Sequence, residues 1–268
     1  MEPFDVLAEE PGLPAVALPA ALARIYAGDL GFADECVYAN FVATLDGVVA
    51  IPSLPGSNAV IAGDNDADRF LMGLLRAFAD SVLIGAGVLR ASPRGTWRAE
   101  SIYPPAAESY AELRRSLDLP PAPEIAVLTG SGSIDHDHPV LAGHAVVLTS
   151  DAGVERLAGH VPETAAVVSL GAKQHFSGGM VIDALRARGH RRLLCEAGPH
   201  TFGALLDGAR VDELFLTTSP FLAGDAGADS RYHLVEAADL FPLVDCRPLS
   251  VRRHGAHLFT RYAVGPGA

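Results

Sequence analysis

Glu196 ends an apolar run in the stretch LLCEAGPHTFGALL, Leu193 to Leu206. Before it the apolar residues are contiguous, as in a short buried strand. After it Phe202, Leu205, Leu206 and Ala209 recur at the i, i+3, i+4, i+7 spacing of a helix face. The stretch predicts strand, tight turn, helix, and such a turn combines unpaired backbone N–H groups with the positive end of a helix dipole, which suits phosphate. A carboxylate at that strand end can hold the N–H groups of a heterocycle, or simply sit exposed before the dipole. Asp46, in TLDG, offers the same choice between a ligand contact and a turn-forming Asp-Gly pair. Arg76, in LLRA, can grip an anion through two N–H groups or snorkel from an amphipathic helix. Arg90, Arg94 and Arg98 put three positive charges in nine residues, enough to guide a phosphate or to make a solvated loop. DHDHP, Asp135 to Pro139, carries metal-ligating types. With no third cluster evident it reads as a turn, and no metal is expected. No G-x-S-x-G elbow of a serine hydrolase occurs, and GAGVLR lacks the third glycine of the usual dinucleotide fingerprint.

The elements that must position these residues alternate along the chain. A strand near Val37 to Ala43 precedes a Gly/Pro/Ser loop. DNDADRFLMGLLRAFAD follows, a helix with Leu71, Leu74, Leu75 and Phe78 as its apolar stripe and Asp64 or Asp66 as its cap. SVLIG, EIAVLTG, AVVLTS, AAVVSLG and RRLLCEAG are short apolar runs ending in turn residues, and AAESYAELRRSL and GMVIDALRARG are helical. Strands alternating with helices predict an α/β fold: three layers, α/β/α, around a mostly parallel sheet. After Val211 the pattern becomes strand-like, and VDCRPLSVRRHG with HLFTRYAV predicts an antiparallel hairpin on the sheet edge, turning at His254-Gly255-Ala256. Residues 1–34 read as an N-terminal arm packed on a single domain spanning 35–268. In such sheets ligands gather at the carboxyl ends of the strands, where Gly85, Gly87, Thr129, Ser150 and Gly198 lie.

The totals narrow the partners. With 268 residues and 49% hydrophobic content the chain can bury a core. Twenty Lys plus Arg against 32 Asp plus Glu leave a net charge of −12, which opposes nucleic acid but permits a small anion at contact distance. Three scattered cysteines suggest neither disulfides nor a zinc ribbon. No segment approaches the roughly 20 apolar residues of a membrane span, and the acidic first residues do not resemble a secretory signal. No membrane partner and a cytoplasmic location are therefore expected.

Three segments carry a family resemblance: ANFVATLDGVVA (39–50), LLRAFADSVLIGAGVLRASP (74–93) and RRLLCEAGPHTFGALLDGARVDELFLTTSPFLAGD (191–225). In order and spacing they resemble the pyrimidine reductase family of riboflavin biosynthesis, over roughly residues 36 to 264. The resemblance implies a dihydrofolate-reductase-like fold, NADPH as cofactor, a small pyrimidine or pterin-like substrate, and a homodimer, formed through the C-terminal strands whose exposed edge would otherwise need protection. By motif match it places Gly85, Ala86, Gly87, Val88, Ala197, Gly198 and Pro199 against the cofactor's phosphates or nicotinamide, with Thr129 and Ser150 toward its adenosine half. It places Asn40, Asp46, Arg76 and Glu196 at the substrate, with Asp46 and Glu196 as the catalytic pair.

The chain also departs from the family. Asn40 stands where members have Lys, Ala62 and Val88 where they have Thr, Ala91-Ser92 where they have an acidic pair, and Ala197 where they have Gly. By the resemblance, several of these positions would hold the substrate's sugar phosphate. The implied reaction is reduction of the ribosylaminopyrimidine phosphate of riboflavin synthesis; the alternatives are a dihydrofolate-like, other pterin or carbonyl substrate, or cofactor binding without turnover. The H-x-E and P-C-x-x-C of the zinc deaminase that often accompanies this reductase do not occur, so the expected activity is that of the reductase half.

Overall fold

The computed structural model describes residues 1–54, 56–225, 227 and 230–265. The chain begins with β1 (Asp5–Glu9) and α1 (Ala20–Tyr26), then β2 (Cys36–Ala43), β3 (Val48–Ala50), α2 (Ser57–Ala62) and α3 (Asp66–Phe78). Next come β4 (Ser81–Gly85), α4 (Ala86–Ala91), α5 (Ala99–Ile102), α6 (Ala107–Ser116), β5 (Glu124–Leu128), β6 (Ala145–Thr149), α7 (Asp151–Leu157) and β7 (Ala165–Ser169). The last third holds α8 (Gly178–Ala187), β8 (Arg192–Cys195), α9 (Pro199–Asp207), β9 (Glu213–Thr218), β10 (Tyr232–His233), β11 (Cys246–His254) and β12 (His257–Val264).

Among the described residues a ten-stranded sheet runs in the order β1-β11-β12-β9-β2-β8-β4-β5-β6-β7, and β10 pairs separately with β3. From β9 to β7 every neighbouring pair is parallel, whereas β12, β11 and β1 are added antiparallel. The two faces alternate residue by residue. Tyr38, Val82, Ile84, Ile125 and Val127 pack with α1, α3 and α6, while Val37, Ala39, Leu83 and Ala126 pack with α8 and α9. Burial on both faces is why these strands read as unbroken apolar runs.

Two expectations need correction. The α3 cap is Asn65, between the two aspartates expected to serve: its side chain accepts from the N–H groups of Ala67 and Asp68, while Asp64 has a positive φ of 51° and is exposed. The C-terminal hairpin is real, with His254 facing His257 across the turn, but it is not the sheet edge, because β1 pairs outside β11. The C-terminal end of α3 is held from outside: buried Arg114 of α6 donates to the carbonyls of Arg76, Ala77 and Ala79. These bonds satisfy carbonyls that a helix end leaves unpaired.

Candidate functional site

β4 and β8 are neighbours in the sheet, yet the chain leaves them in opposite directions. β4 leads through α4 toward β5, and β8 leads through α9 toward β9 on the far side of β2. Connections that diverge in this way open a crevice beyond the strand ends, where open α/β sheets bind ligands. Its two lips are the turns singled out by sequence, Gly85-Ala86-Gly87-Val88 and Ala197-Gly198-Pro199. The Glu196 N–H donates to Leu83 O at 3.0 Å, and Thr201 Oγ1 would lie 3.8 Å from a Cβ built on Gly85, so the lips are in close contact. No side chain caps the start of α4 or of α9, and Pro199 occupies the first turn of α9, where its missing N–H costs nothing. Ala197 is not among the positive-φ residues, and its methyl group is buried in the core. Alanine therefore fits a turn whose family pattern has glycine.

Farther along the strand ends, Thr129 is buried after β5 and Ser150 caps α7 by accepting from the Gly153 N–H at 3.1 Å. Next to Thr129 the backbone of Gly130 meets the Gln174 carbonyl, which would stand 2.2 Å from a Cβ at that position. Only glycine admits this approach, which brings the Gln174 backbone over the end of β5.

On the α3 face the structure brings together three of the four residues expected at the substrate. Phe215, Tyr38 and Leu194 point to that face, so by strand alternation Thr217, Asn40 and Glu196 do too. In register, Asn40 pairs with Phe215, and Ala39 pairs with Cys195, which sets Asn40 beside Glu196 at the end of β8. Arg76 reaches Glu196 with Nε to Oε1 at 2.9 Å and Nη2 to Oε2 at 2.6 Å, and both side chains are only 7% exposed. Such a buried two-point pair ties α3 to the β8–α9 turn; removing either partner would strand the other charge.

Asp46 is elsewhere. It is exposed in the β2–β3 turn and accepts from Thr44 Oγ1, from the Ala223 N–H at 3.1 Å and from the Gly224 N–H at 2.7 Å. The Thr44 hydroxyl foremost, then those N–H groups, hold its carboxyl down at about 2. Asp46 thus fastens the segment after β9 to the turn after β2.

Sequence reasoning missed two residues here. Asp68 is buried on α3, eight residues before Arg76, with Met72 midway, so the three share one helical stripe. Burial foremost, reinforced by the Glu196 charge, pushes the Asp68 carboxyl up to about 6, against the opposing pull of the Thr217 hydroxyl and of Arg69 and Arg76. Thr217, fully buried on β9, makes no hydrogen bond through Oγ1 even though that hydroxyl lies near enough to Asp68 to favour its ionised form. The Asn40 Oδ1 is likewise buried and unpartnered. The signal was the stripe itself: an amphipathic reading counts Asp68 toward solvent, yet it stands two turns from Arg76 on the same line.

The polar motifs left over are accounted for structurally. His138 of DHDHP is buried, with Nε2 2.9 Å from Ser92 O and Nδ1 accepting from the Val140 N–H, while Asp135 accepts from the Asp137 N–H. Among the described residues no group of three or more His, Cys, Asp or Glu is placed to hold a metal ion. Arg90, Arg94 and Arg98 are exposed on the segment that follows β4.

Comparison with known proteins agrees with this fold. A pyrimidine reductase-like protein from Corynebacterium diphtheriae superposes with a TM-score of 0.69 at 19% identity, over 87% of this chain and 92% of that one. RibD from Acinetobacter baumannii gives 0.63 at 18%, over 86% of this chain and 58% of that one. The Thermotoga maritima diaminohydroxyphosphoribosylaminopyrimidine deaminase/5-amino-6-(5-phosphoribosylamino)uracil reductase gives 0.58 at 20%, over 86% and 56%. At these identities the likeness carries the fold: a mixed α/β architecture built on a large, mostly parallel sheet. Among curated proteins none matches the chain. The model of the RibD C-terminal domain matches residues 35–255, from just before β2 to the turn of the C-terminal hairpin, and so takes in both lips of the crevice and the whole α3 face. The chain belongs to the RibD C-terminal domain family.

Proposed function

We propose that the chain is an NADPH-dependent reductase of the riboflavin-pathway type, acting on the ring-bearing ribosylaminopyrimidine phosphate or a close pyrimidine relative. The observation that carries this reading is the point between β4 and β8 where the connections diverge, flanked by two helix starts that no side chain caps. Uncapped N–H groups at the start of α9 and in the Gly85–Val88 turn suit a diphosphate, and Thr129 and Ser150 follow at the neighbouring strand ends. The residues therefore fit the cofactor: Gly85, Ala86, Gly87, Val88, Ala197, Gly198 and Pro199 would hold its diphosphate and nicotinamide half, Thr129 and Ser150 its adenosine side. When bound, it supplies the hydride.

The chain's own part is placement and exclusion of water. Glu196 and Arg76 neutralise one another and fix the distance between the cofactor turn and α3. The α3 face then supplies the polar floor for a substrate ring, and the Asp46 clasp keeps the segment after β9 close to the turn after β2. Arg76, which the resemblance would set on a phosphate, is already occupied by Glu196; this favours ring recognition at the floor and keeps a pterin-like substrate as the second reading. A cytoplasmic homodimer belongs to the same proposal. No helix of the described residues is long and apolar enough to cross a membrane.

The test is cofactor binding followed by turnover. NADPH at saturation is expected to raise the melting temperature, since a ligand of the native state stabilises it. Ribosylaminopyrimidine phosphate is expected to accelerate loss of the NADPH absorbance. No melting shift with NADPH or NADH would overturn the cofactor assignment. A shift without turnover on any pyrimidine or pterin would leave a cofactor-binding protein.

A further inference from the structure

We infer that Asp68, Thr217 and Asn40 form the seat of the substrate's heterocyclic ring, holding an edge that presents N–H donors, and that a phosphate-bearing end of the substrate lies away from them. The inference deepens the proposed function and rests on its substrate side.

The argument begins with unmet hydrogen bonds. Buried polar groups are nearly always paired, and an unpaired one is costly. Thr217 Oγ1 and Asn40 Oδ1 are both buried and both unpartnered. They occupy adjacent strands on one face, with Thr217 paired to Val42, two residues beyond Asn40. Asp68 enters from α3, buried, close enough to the Thr217 hydroxyl to be influenced by it yet forming no hydrogen bond with it. One face thus carries a carboxylate beside a hydroxyl that can serve either way, with an amide oxygen two residues farther along the adjacent strand.

The charge count selects the ligand. Among the described residues the cations whose charge reaches Asp68 are Arg69 and Arg76, and Glu196 takes the Arg76 Nε and Nη2. The remaining Arg76 nitrogen, Nη1, points to the Arg98 carbonyl at 3.4 Å. Arg69, the next residue along α3, turns to Asp64 and Asp66. An anion placed beside Asp68 would therefore meet a carboxylate while both cations that act on it are already paired. A flat ring with adjacent N–H groups would instead give Asp68 and Asn40 the donors they lack. The groups that face Asp68 are Thr217, Glu196, Arg69 and Arg76, and burial among them raises its carboxyl toward neutrality. A ring N–H pair relieves that penalty by hydrogen-bonding the ionised form.

Two fragments separate the ends of the substrate. In ligand-observed NMR titrations, 5,6-diaminouracil presents the ring and ribose 5-phosphate presents the sugar phosphate. For wild type, diaminouracil is expected to bind. Asp68→Asn, which keeps the shape but halves the acceptors, should weaken it at least ten-fold, and the isosteric Thr217→Val several-fold. Ribose 5-phosphate should bind both variants as it binds wild type. If wild type does not bind diaminouracil, or both variants bind it unchanged, or the losses fall on ribose 5-phosphate instead, the inference is overturned. Thr217→Val keeps the test available should Asp68→Asn misfold. NADPH melting shifts are read separately: diaminouracil binding without an NADPH shift sinks the reductase reading alone, and an NADPH shift without diaminouracil binding sinks the ring seat alone.

Discussion

Asp68 is kept at a thermodynamic cost that a structural role does not explain. Its carboxyl rises from an ordinary 3.8 to about 6, chiefly by burial. A group whose pKa is higher folded than unfolded adds stability below its unfolded value, and that stability is lost as pH rises through the folded value. Above pH 6 the native state therefore carries an ionised acid in a place that resists charge. A shift of roughly two units corresponds to about 3 kcal/mol, so Asp68→Asn should stabilise the protein by up to that amount at pH 8 and by almost nothing at pH 3.5. Urea denaturation midpoints at the two pH values measure this. An equal or destabilising effect at pH 8 would mean that Asp68 has a native partner which compensates its charge. Arg76 and Glu196 illustrate the opposite economy: each was legible as a charged residue near a strand or helix end, but only the fold shows that they satisfy one another.

At the scale of elements, the helices and parallel strands were legible because each one's periodicity is local. β2 and α3 both follow the apolar pattern, and the strand–turn–helix around Glu196 forms as its spacing predicted, from β8 through α9. What escaped was set by contacts distant in sequence. The strand-like run from Glu213 to Asp225 stops at Thr218, because the rest is drawn toward the β2–β3 turn by Asp46, 177 and 178 residues before its backbone partners Ala223 and Gly224. The type and position of Asp46 leave a turn or a ligand contact open and the resemblance makes it catalytic; its observed partners add the role of a clasp. Its carboxyl stays ionised down to about 2, so the clasp should persist from neutral pH through pH 4 and loosen only as pH falls toward that value. Asp46→Ala should accelerate hydrogen exchange at the Ala223 and Gly224 amides by an order of magnitude or more at neutral pH, while the exchange of β9 amides stays as in wild type. Unchanged exchange at both loop amides would show that other contacts hold the segment.

For the molecule as a whole, strand order was the least legible feature, since parallel strands buried on both faces look alike wherever they lie. Nothing in RLLC says that β8 inserts between β2 and β4, yet that insertion sets the two diverging connections side by side. The N-terminal strand was hidden for a different reason. All five residues of β1 are exposed, so DVLAE shows no buried face and its place in the sheet rests on backbone pairing with β11. That pairing covers the very edge that the sequence offered to a second copy of the chain. The flanking residues anchor it: Phe4 is buried edge-on against Phe259, with ring centroids 4.7 Å apart, and Glu9 pairs with Arg252, whose side chain is only 2% exposed. Arg253 pairs with Asp5 on the outside. Removing residues 1–10 would uncover the β11 edge, empty the Phe4 site and leave the buried Arg252 without its carboxylate. Emptying a buried Phe site costs about 3–5 kcal/mol in comparable settings, and losing the partly exposed Glu9 carboxylate adds a smaller, solvent-screened loss. An uncovered edge also invites pairing between chains. The shortened chain should therefore melt well below wild type and associate as its concentration rises, by differential scanning fluorimetry and light scattering. Glu9→Gln with Phe4→Ala, which leaves the strand in place, should lower the melting temperature without the association; association in that variant as well would place the cause in the lost side chains rather than in the open edge.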